Sequence, residues 1–234
     1  MPCVSQSSEA RVPVITMASS KGGSGKSTLA LVLAGAFAVD DYKVHIIDAD
    51  RAGRLLDWAK GEFRPANITV SAADEETIQD EIARAKRNGA NVVLVDVEGT
   101  ANLTIAWAAG ASDLVLIPAN PSTQDVTDAL RTQRLLHRSA QNGGRQIPHA
   151  LVWSRVPSVR SRDMSQLEKQ VAEAGLPIIG SVYERTAYKA LFSYQTTLDK
   201  MDPKEVPALE KSTREAGHLA LNAVAFIKSQ KAAA

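Results

Sequence analysis

Along most of the chain, short unbroken apolar runs alternate with longer segments of helical character. Val12-Pro-Val-Ile-Thr-Met-Ala18 predicts a first strand, and a glycine-rich turn then leads into a helix of small and aliphatic residues over 27–39. Val44-His-Ile-Ile47 predicts the second strand and Asn67-Ile-Thr-Val70 a shorter third. Residues 77–87 read as a helix stopped by Asn88-Gly89, a pair that readily takes the left-handed turn at a helix end. Val92-Val-Leu-Val95 and Leu114-Val-Leu-Ile117 are fully apolar strands, the second closed by Pro118. A helix over 124–139 ends near Asn142-Gly143-Gly144, and His149-Ala-Leu-Val-Trp153 and Pro177-Ile-Ile179 supply later strands. Further helices fall near 165–174, 186–194 and 205–228. Strands that are continuously apolar rather than alternating, separated by helices, predict a mostly parallel sheet covered on both faces. The expected class is therefore a single-domain, doubly wound α/β fold over residues 12–230. Residues 1–11, polar and serine-bearing, read as a flexible lead-in, and residues 231–234 as a tail.

Composition adds exclusions. At 234 residues, with 44% hydrophobic and 23% charged positions, the chain suits one soluble domain with a sizeable core. Its one cysteine, Cys3, rules out an intramolecular disulfide framework and a cysteine-built metal or iron–sulfur site within one chain. No apolar run approaches the roughly 20 residues needed to span a bilayer. The first residues lack the apolar stretch of a secretory signal, so the cytoplasm is the expected compartment. Residues 1–130 carry 11 Lys and Arg against 17 Asp and Glu, whereas residues 131–234 carry 16 against 9. A basic second half suits a polyanion such as DNA, and it equally suits an unevenly charged solvated surface.

The chemistry is concentrated in Lys21-Gly-Gly-Ser-Gly-Lys-Ser-Thr28. Gly25-Lys26-Ser27 matches the end of a phosphate-binding loop, while Ser20 stands where the general pattern has its first glycine. The Lys-Gly-Gly-x-Gly-Lys-Ser form is the deviant Walker variant. Gly22, Gly23 and Gly25, with Ser24 between them, let backbone N–H groups turn toward an anion without a Cβ in the way. The following helix adds the positive end of its dipole. Lys26 is expected at the β- and γ-phosphates of ATP or ADP, Ser27 on Mg²⁺, and Thr28 near the phosphates closer to the ribose. Asp48 and Asp50 follow the second strand and Asp96 the fourth, where parallel sheets bind ligands. Asp96 reads as a carboxylate holding Mg²⁺ through water, with Asp48 in the same shell and Asp50 orienting the attacking water.

With Ile-Ile-Asp-Ala-Asp50 and Val-Leu-Val-Asp96, this loop resembles that of the ParA/MinD family of deviant P-loop, SIMIBI-like ATPases, and the resemblance covers residues 12–230. Arg155-Val-Pro157, the stretch from Arg160 to Met164, and Tyr183-Glu-Arg185 look most like small plasmid ParA-type proteins and VirC-type DNA-transfer ATPases. The resemblance implies ATP hydrolysis, slow and stimulated by a ParB-like or other partner protein. It implies an ATP-dependent sandwich homodimer in which Lys21 reaches the partner's phosphates, with Lys21, Lys26 and Asp50 catalytic. It also implies non-specific DNA binding through the basic C-terminal half, for which Arg185, Lys189, Lys211 and Arg214 are the candidates, and association with the nucleoid.

The chain departs from the family's pattern at three places. Asp48-Ala-Asp-Arg-Ala52 replaces the common Asp-x-Asp-Pro-Gln, Val97-Glu-Gly99 replaces Thr-Pro-Pro, and Trp153-Ser154 occupies the region of an adenine-contacting asparagine. Two other readings stay open beside DNA partition or transfer: a MinD-like membrane-positioning ATPase anchored by residues 219–228, and a nucleotide-binding adaptor that does not hydrolyse.

Overall fold

In a computed structural model describing residues 12–99, 102–159 and 162–233, seven strands form one sheet in which every neighbouring pair is parallel. The strands are β1 (Val14–Met17), β2 (Val44–Ala49), β3 (Ile68–Ala72), β4 (Val92–Val97), β5 (Leu114–Ala119), β6 (His149–Val156) and β7 (Ile178–Tyr183), in the order β3-β2-β4-β1-β5-β6-β7. The helices are α1 (Lys26–Val39), α2 (Arg54–Trp58), α3 (Ile78–Arg87), α4 (Asn102–Ala111), α5 (Thr123–Gly143), α6 (Arg162–Glu173), α7 (Thr186–Ser193) and α8 (Leu209–Ala233). The expected doubly wound α/β class is the one observed.

Alternation along each strand divides the apolar residues between two cores. Ile15 and Met17 of β1, with Ile46 and Leu94, pack against α1, α2, α7 and α8 on one face. Val14, Ile47, Val93 and Val95 pack against α3, α4, α5 and α6 on the other. Because both faces are covered, β4 and β5 are buried at every position, which is why their sequences show no polar alternation. The chain leaves β1 toward β2 on one side and later fills β5 to β7 on the other. The strand order therefore reverses at β1, and the ligand crevice of such a sheet lies at the C-terminal ends around that point.

Differences from the expected elements have local causes. The five-residue α2 is too short to show a helical period, and α4 carries no charged residue, so neither stands out by amphipathic pattern. Pro118 lies inside β5, paired with Val152, rather than ending it. The helix placed at 205–228 runs from Leu209 to Ala233, so most of the expected tail is helical, and Lys231 sits 3.2 Å from the buried carboxylate of Asp113. Residues 1–11 lie outside the described residues. No helix among the described residues is long and apolar enough to cross a membrane.

A bidentate ion pair fastens the last helix to the turn after β7. Arg185 donates from Nε (3.0 Å) and a terminal nitrogen (2.6 Å) to the two oxygens of Glu215, and the Tyr188 hydroxyl donates to the same carboxylate at 3.1 Å. Truncating Glu215 strands a nearly buried guanidinium and phenol, so Glu215→Ala is expected to lower unfolding stability by about 2 kcal/mol. Urea denaturation followed by circular dichroism measures it, and Glu215→Gln, which keeps one acceptor oxygen for these donors, is expected to recover part of the loss.

Candidate phosphate and nucleotide site

β1 delivers the chain to the crevice, and α1 begins at Lys26 directly beyond the glycine loop. Gly25, the residue capping α1, has φ 102°, a conformation L side chains rarely adopt, and a Cβ there would collide with the Ser154 hydroxyl of β6. Alanine at this position is therefore excluded twice, by backbone geometry and by space. With no side chain at the cap, the amides opening α1 are left for a ligand.

Lys26 is 6% exposed and its ammonium lies 3.4 Å from the Lys21 carbonyl oxygen. Burial draws its pKa below the ordinary lysine value, while Asp96 and then Asp50 pull the other way. The Ser27 hydroxyl donates to Asp96 Oδ2 at 2.6 Å, and the other oxygen, Oδ1, is buried without a hydrogen-bond partner. Burial lifts the Asp96 carboxyl to about 7, against the opposing effects of the Ser27 hydrogen bond and Lys26. A buried carboxylate with one unsatisfied oxygen beside a serine hydroxyl offers hard oxygen donors of the kind Mg²⁺ takes when it also keeps phosphate and water ligands. These residues fit that cation.

The two acidic residues after β2 separate in role. Asp48 is in register with Asp96 across the β2–β4 pair, and both its oxygens are engaged by backbone amides: Oδ1 by Asp50 at 3.2 Å, Oδ2 by Leu55 at 2.8 Å and Leu56 at 3.1 Å. These bonds fasten Asp48 to the first turn of α2. Asp50 Oδ1 accepts from the Ala52 amide at 2.9 Å, and its charge is felt at both Lys26 and Asp96. The loop after Asp96 also touches the phosphate loop. A Cβ on Gly99 would stand 2.6 Å from the Lys21 carbonyl oxygen, which explains a glycine where the family pattern has proline.

Lys21 turns away from Lys26. Its ammonium lies 3.3 Å from Asp125 Oδ2, a carboxylate also held by the Ser122 hydroxyl at 2.6 Å and the Asn120 amide at 3.2 Å. With the lysine side chain 35% exposed, this is a modest interaction, worth on the order of 1 kcal/mol or less.

Beside the loop, a cavity of about 140 Å³ is lined by Gly23, Gly25, Lys26, Ser27 and Arg54. It shares Thr28, Arg155 and Phe192 with a larger one of about 410 Å³ between the ends of β6 and β7, bordered by Ser154, Tyr183 and Arg185. Phosphate-sized and base-sized spaces thus adjoin. Arg54 and Phe192 were not singled out from sequence; the first follows Gly53 at the start of a helix too short to read. Arg155 has φ 52°, and sequence marked it only as part of a resemblance.

The DNA candidates divide. Arg185 is turned onto Glu215, with its side chain 10% exposed, so its guanidinium is committed to that carboxylate. Lys189 is exposed and 3.7 Å from Glu184, whereas Lys211 and Arg214 are exposed on α8. Of the segment 160–164, residues 160 and 161 lie outside the described residues.

An all-parallel sheet whose first strand empties into this loop, with a carboxylate on the adjacent strand end, defines a phosphate-loop nucleotide protein of ParA/MinD architecture. The chain belongs to the VirC1 protein family, whose model matches residues 12–202. It is 38% identical over 197 residues to Protein ParA of Rhizobium radiobacter, spanning 83% of this chain and 88% of that one. Among solved structures it is similar to MinD in the MinC:MinD cell division complex of Aquifex aeolicus (TM-score 0.70, 21% identity, 91% and 96% coverage). It is also similar to the septum site-determining protein MinD complexed with Mg-ADP from Pyrococcus horikoshii (TM-score 0.67, 16% identity, 89% and 94% coverage). The relationship to the ParA/MinD ATPases expected from the glycine loop is thereby established.

The folded Asp96 titrates about 7 and an unfolded aspartate near 3.9, so the folded state's advantage is full below about pH 4 and is lost as pH rises through 7. Asp96→Asn, neutral throughout, is therefore expected to melt above the parent protein at pH 8. The gap should close toward pH 4, as followed by calorimetry without nucleotide.

Proposed function

We propose that this chain is an ATP-switched partition-type ATPase that pairs around nucleotide, binds DNA without sequence preference and acts in plasmid segregation or DNA transfer. The observation that carries the reading is the buried Asp96 with its unsatisfied oxygen beside Ser27, at the head of a helix whose opening amides no side chain caps. Gly22 to Thr28 would hold the phosphates of ATP, and the space bordered by Ser154, Arg155 and Tyr183 would take its base. Ser27 and Asp96 would hold Mg²⁺, which would supply charge neutralisation at the phosphates, and Asp50 would position the attacking water. Protein ParA of Rhizobium radiobacter supports the partition reading, and the MinD of Pyrococcus horikoshii complexed with Mg-ADP supports the nucleotide and the cation.

Lys21 supports the paired state. Its ion pair with Asp125 is weak enough to exchange for a second subunit's phosphate oxygens, where a desolvated ammonium gains more from developing charge. ADP lacks the γ-phosphate, so hydrolysis releases the pair. DNA meets α8, where Lys211, Arg214, His218, Leu221, Ala225 and Lys228 are all exposed and spaced by three or four residues, hence on one side of the helix. The apolar side of α8, with Leu219, Ala223 and Ile227, is buried in the core, which disfavours the membrane-anchor reading.

Sizing with ADP, then with a slowly hydrolysed ATP analogue, tests the switch. The parent chain is expected to double in mass only with the analogue, Lys26→Ala to lose nucleotide affinity by at least tenfold, and Lys21→Ala to bind nucleotide yet stay single. Dimerisation of Lys26→Ala in response to ATP would sink the mechanism. Phosphate release with and without DNA separates a hydrolase from a nucleotide-bound adaptor. In salt titrations, Lys211→Ala with Arg214→Ala should reduce the slope of log affinity against log salt by about 2.

A further inference from the structure

A cavity of about 560 Å³ lies away from the nucleotide site, between the loop after α2 and the connection from α7 to α8. Phe63 on its rim is 71% exposed and Tyr194 47%, both large for uncovered aromatic side chains, and Met201 and Val206 add apolar wall. Three carboxylates, Glu62, Asp202 and Glu205, border the same space. Among the described residues that line it, Lys200 is the cation and lies 3.4 Å from Asp199, so the lining keeps a negative balance.

The cavity is built and not a crease between loose loops. Gln195, with φ 48°, donates from Nε2 to the Asp57 carbonyl at 2.8 Å, and the Thr196 hydroxyl donates to the Phe63 carbonyl at 2.7 Å. Trp58, fully buried, donates its indole N–H to the Thr196 carbonyl at 3.4 Å. Side chain-to-backbone bonds thus hold the two walls at a fixed separation, which lowers the ordering cost of binding.

We propose that this cavity docks an extended basic segment of another protein, one that places an apolar side chain between Lys or Arg residues. The aromatic faces of Phe63 and Tyr194 accept both the apolar side chain and a cation, and the three carboxylates supply the complementary charge. Nucleic acid is repelled by the same rim, so this surface is separate from the exposed basic side of α8. The proposal gives a docking place to the stimulating partner that the family resemblance implies, and rests on the proposed function only for its biological role.

The probe is the peptide acetyl-Lys-Leu-Arg-Phe-Arg-amide, titrated by nuclear magnetic resonance into the full chain without nucleotide, against acetyl-Glu-Leu-Asp-Phe-Glu-amide as the reversed control. The basic peptide is expected to shift resonances around Phe63 and Tyr194 and to bind at least tenfold tighter than the acidic one. Glu62→Lys with Glu205→Lys should weaken it at least fivefold, as should Phe63→Ala, while Glu173→Lys on α6 leaves it unchanged. Equal binding of the two peptides, no binding of either, or insensitivity to the charge reversals overturns the proposal. So does a concentration-dependent mass of the free chain that Phe63→Ala abolishes, which would make the occupant a second copy. Because nucleotide is omitted, a failed ATP-switch reading leaves this titration unaffected, and Lys26→Ala should give the same peptide affinity.

Discussion

The arrangement depends on one buried carboxyl group. Asp96 sits near the end of a strand enclosed on both faces, with the Ser27 hydroxyl as its hydrogen-bond partner and Lys26 supplying compensating charge. Leaving half of a carboxylate unsatisfied in a low-dielectric interior is costly, and such a group is retained where a ligand completes it. The parallel sheet makes that placement obligatory: β1 and β4 are adjacent and in register, so the loop leaving β1 and the acid ending β4 must meet at the same edge. Gly99, pressed on the Lys21 backbone, then ties the segment after Asp96 to the loop that surrounds the phosphates.

The second acid on that edge shows how the same residue type is turned to a different use. Asp48 has a backbone amide at each oxygen, and its burial cost is partly repaid by these three bonds. Its partner is α2, whose far end is in turn held by Gln195 and by the contact of Trp58 with Thr196. A short helix is thereby fastened at one end to the nucleotide edge and at the other to the cavity wall, a continuous mechanical element between the two.

Much of this was legible in the sequence because the physics is local. Gly22 to Thr28, set between an apolar strand and a small-residue helix, carries the pattern of a phosphate loop within a few residues, and unbroken apolar strands alternating with helices point to a parallel sheet covered on both faces. α4 escaped detection because a helix apolar on every side has no period to read, and α2 because one turn and a half is too short to show one. The contact of Asp48 with α2 was hidden for the same reason: with no helix readable at Arg54, nothing in sequence shows which amides its carboxylate meets. Arg185 was read as a free cation since nothing in sequence connects it to Glu215, thirty residues on.

Charge averaged over halves of the chain hid the more useful division. The basic excess after residue 130 is real, yet Asp202 and Glu205 line a negative rim only a few residues before Lys211 and Arg214 open a positive helix face. The turn at Val206 and Pro207, just before α8, is the boundary between them. Coulombic screening limits each field to about 8 Å at physiological ionic strength, so surfaces of opposite sign can sit this close without cancelling. On the proposed reading, a polyanion on α8 and a cationic segment in the cavity would therefore occupy one subunit without either displacing the other.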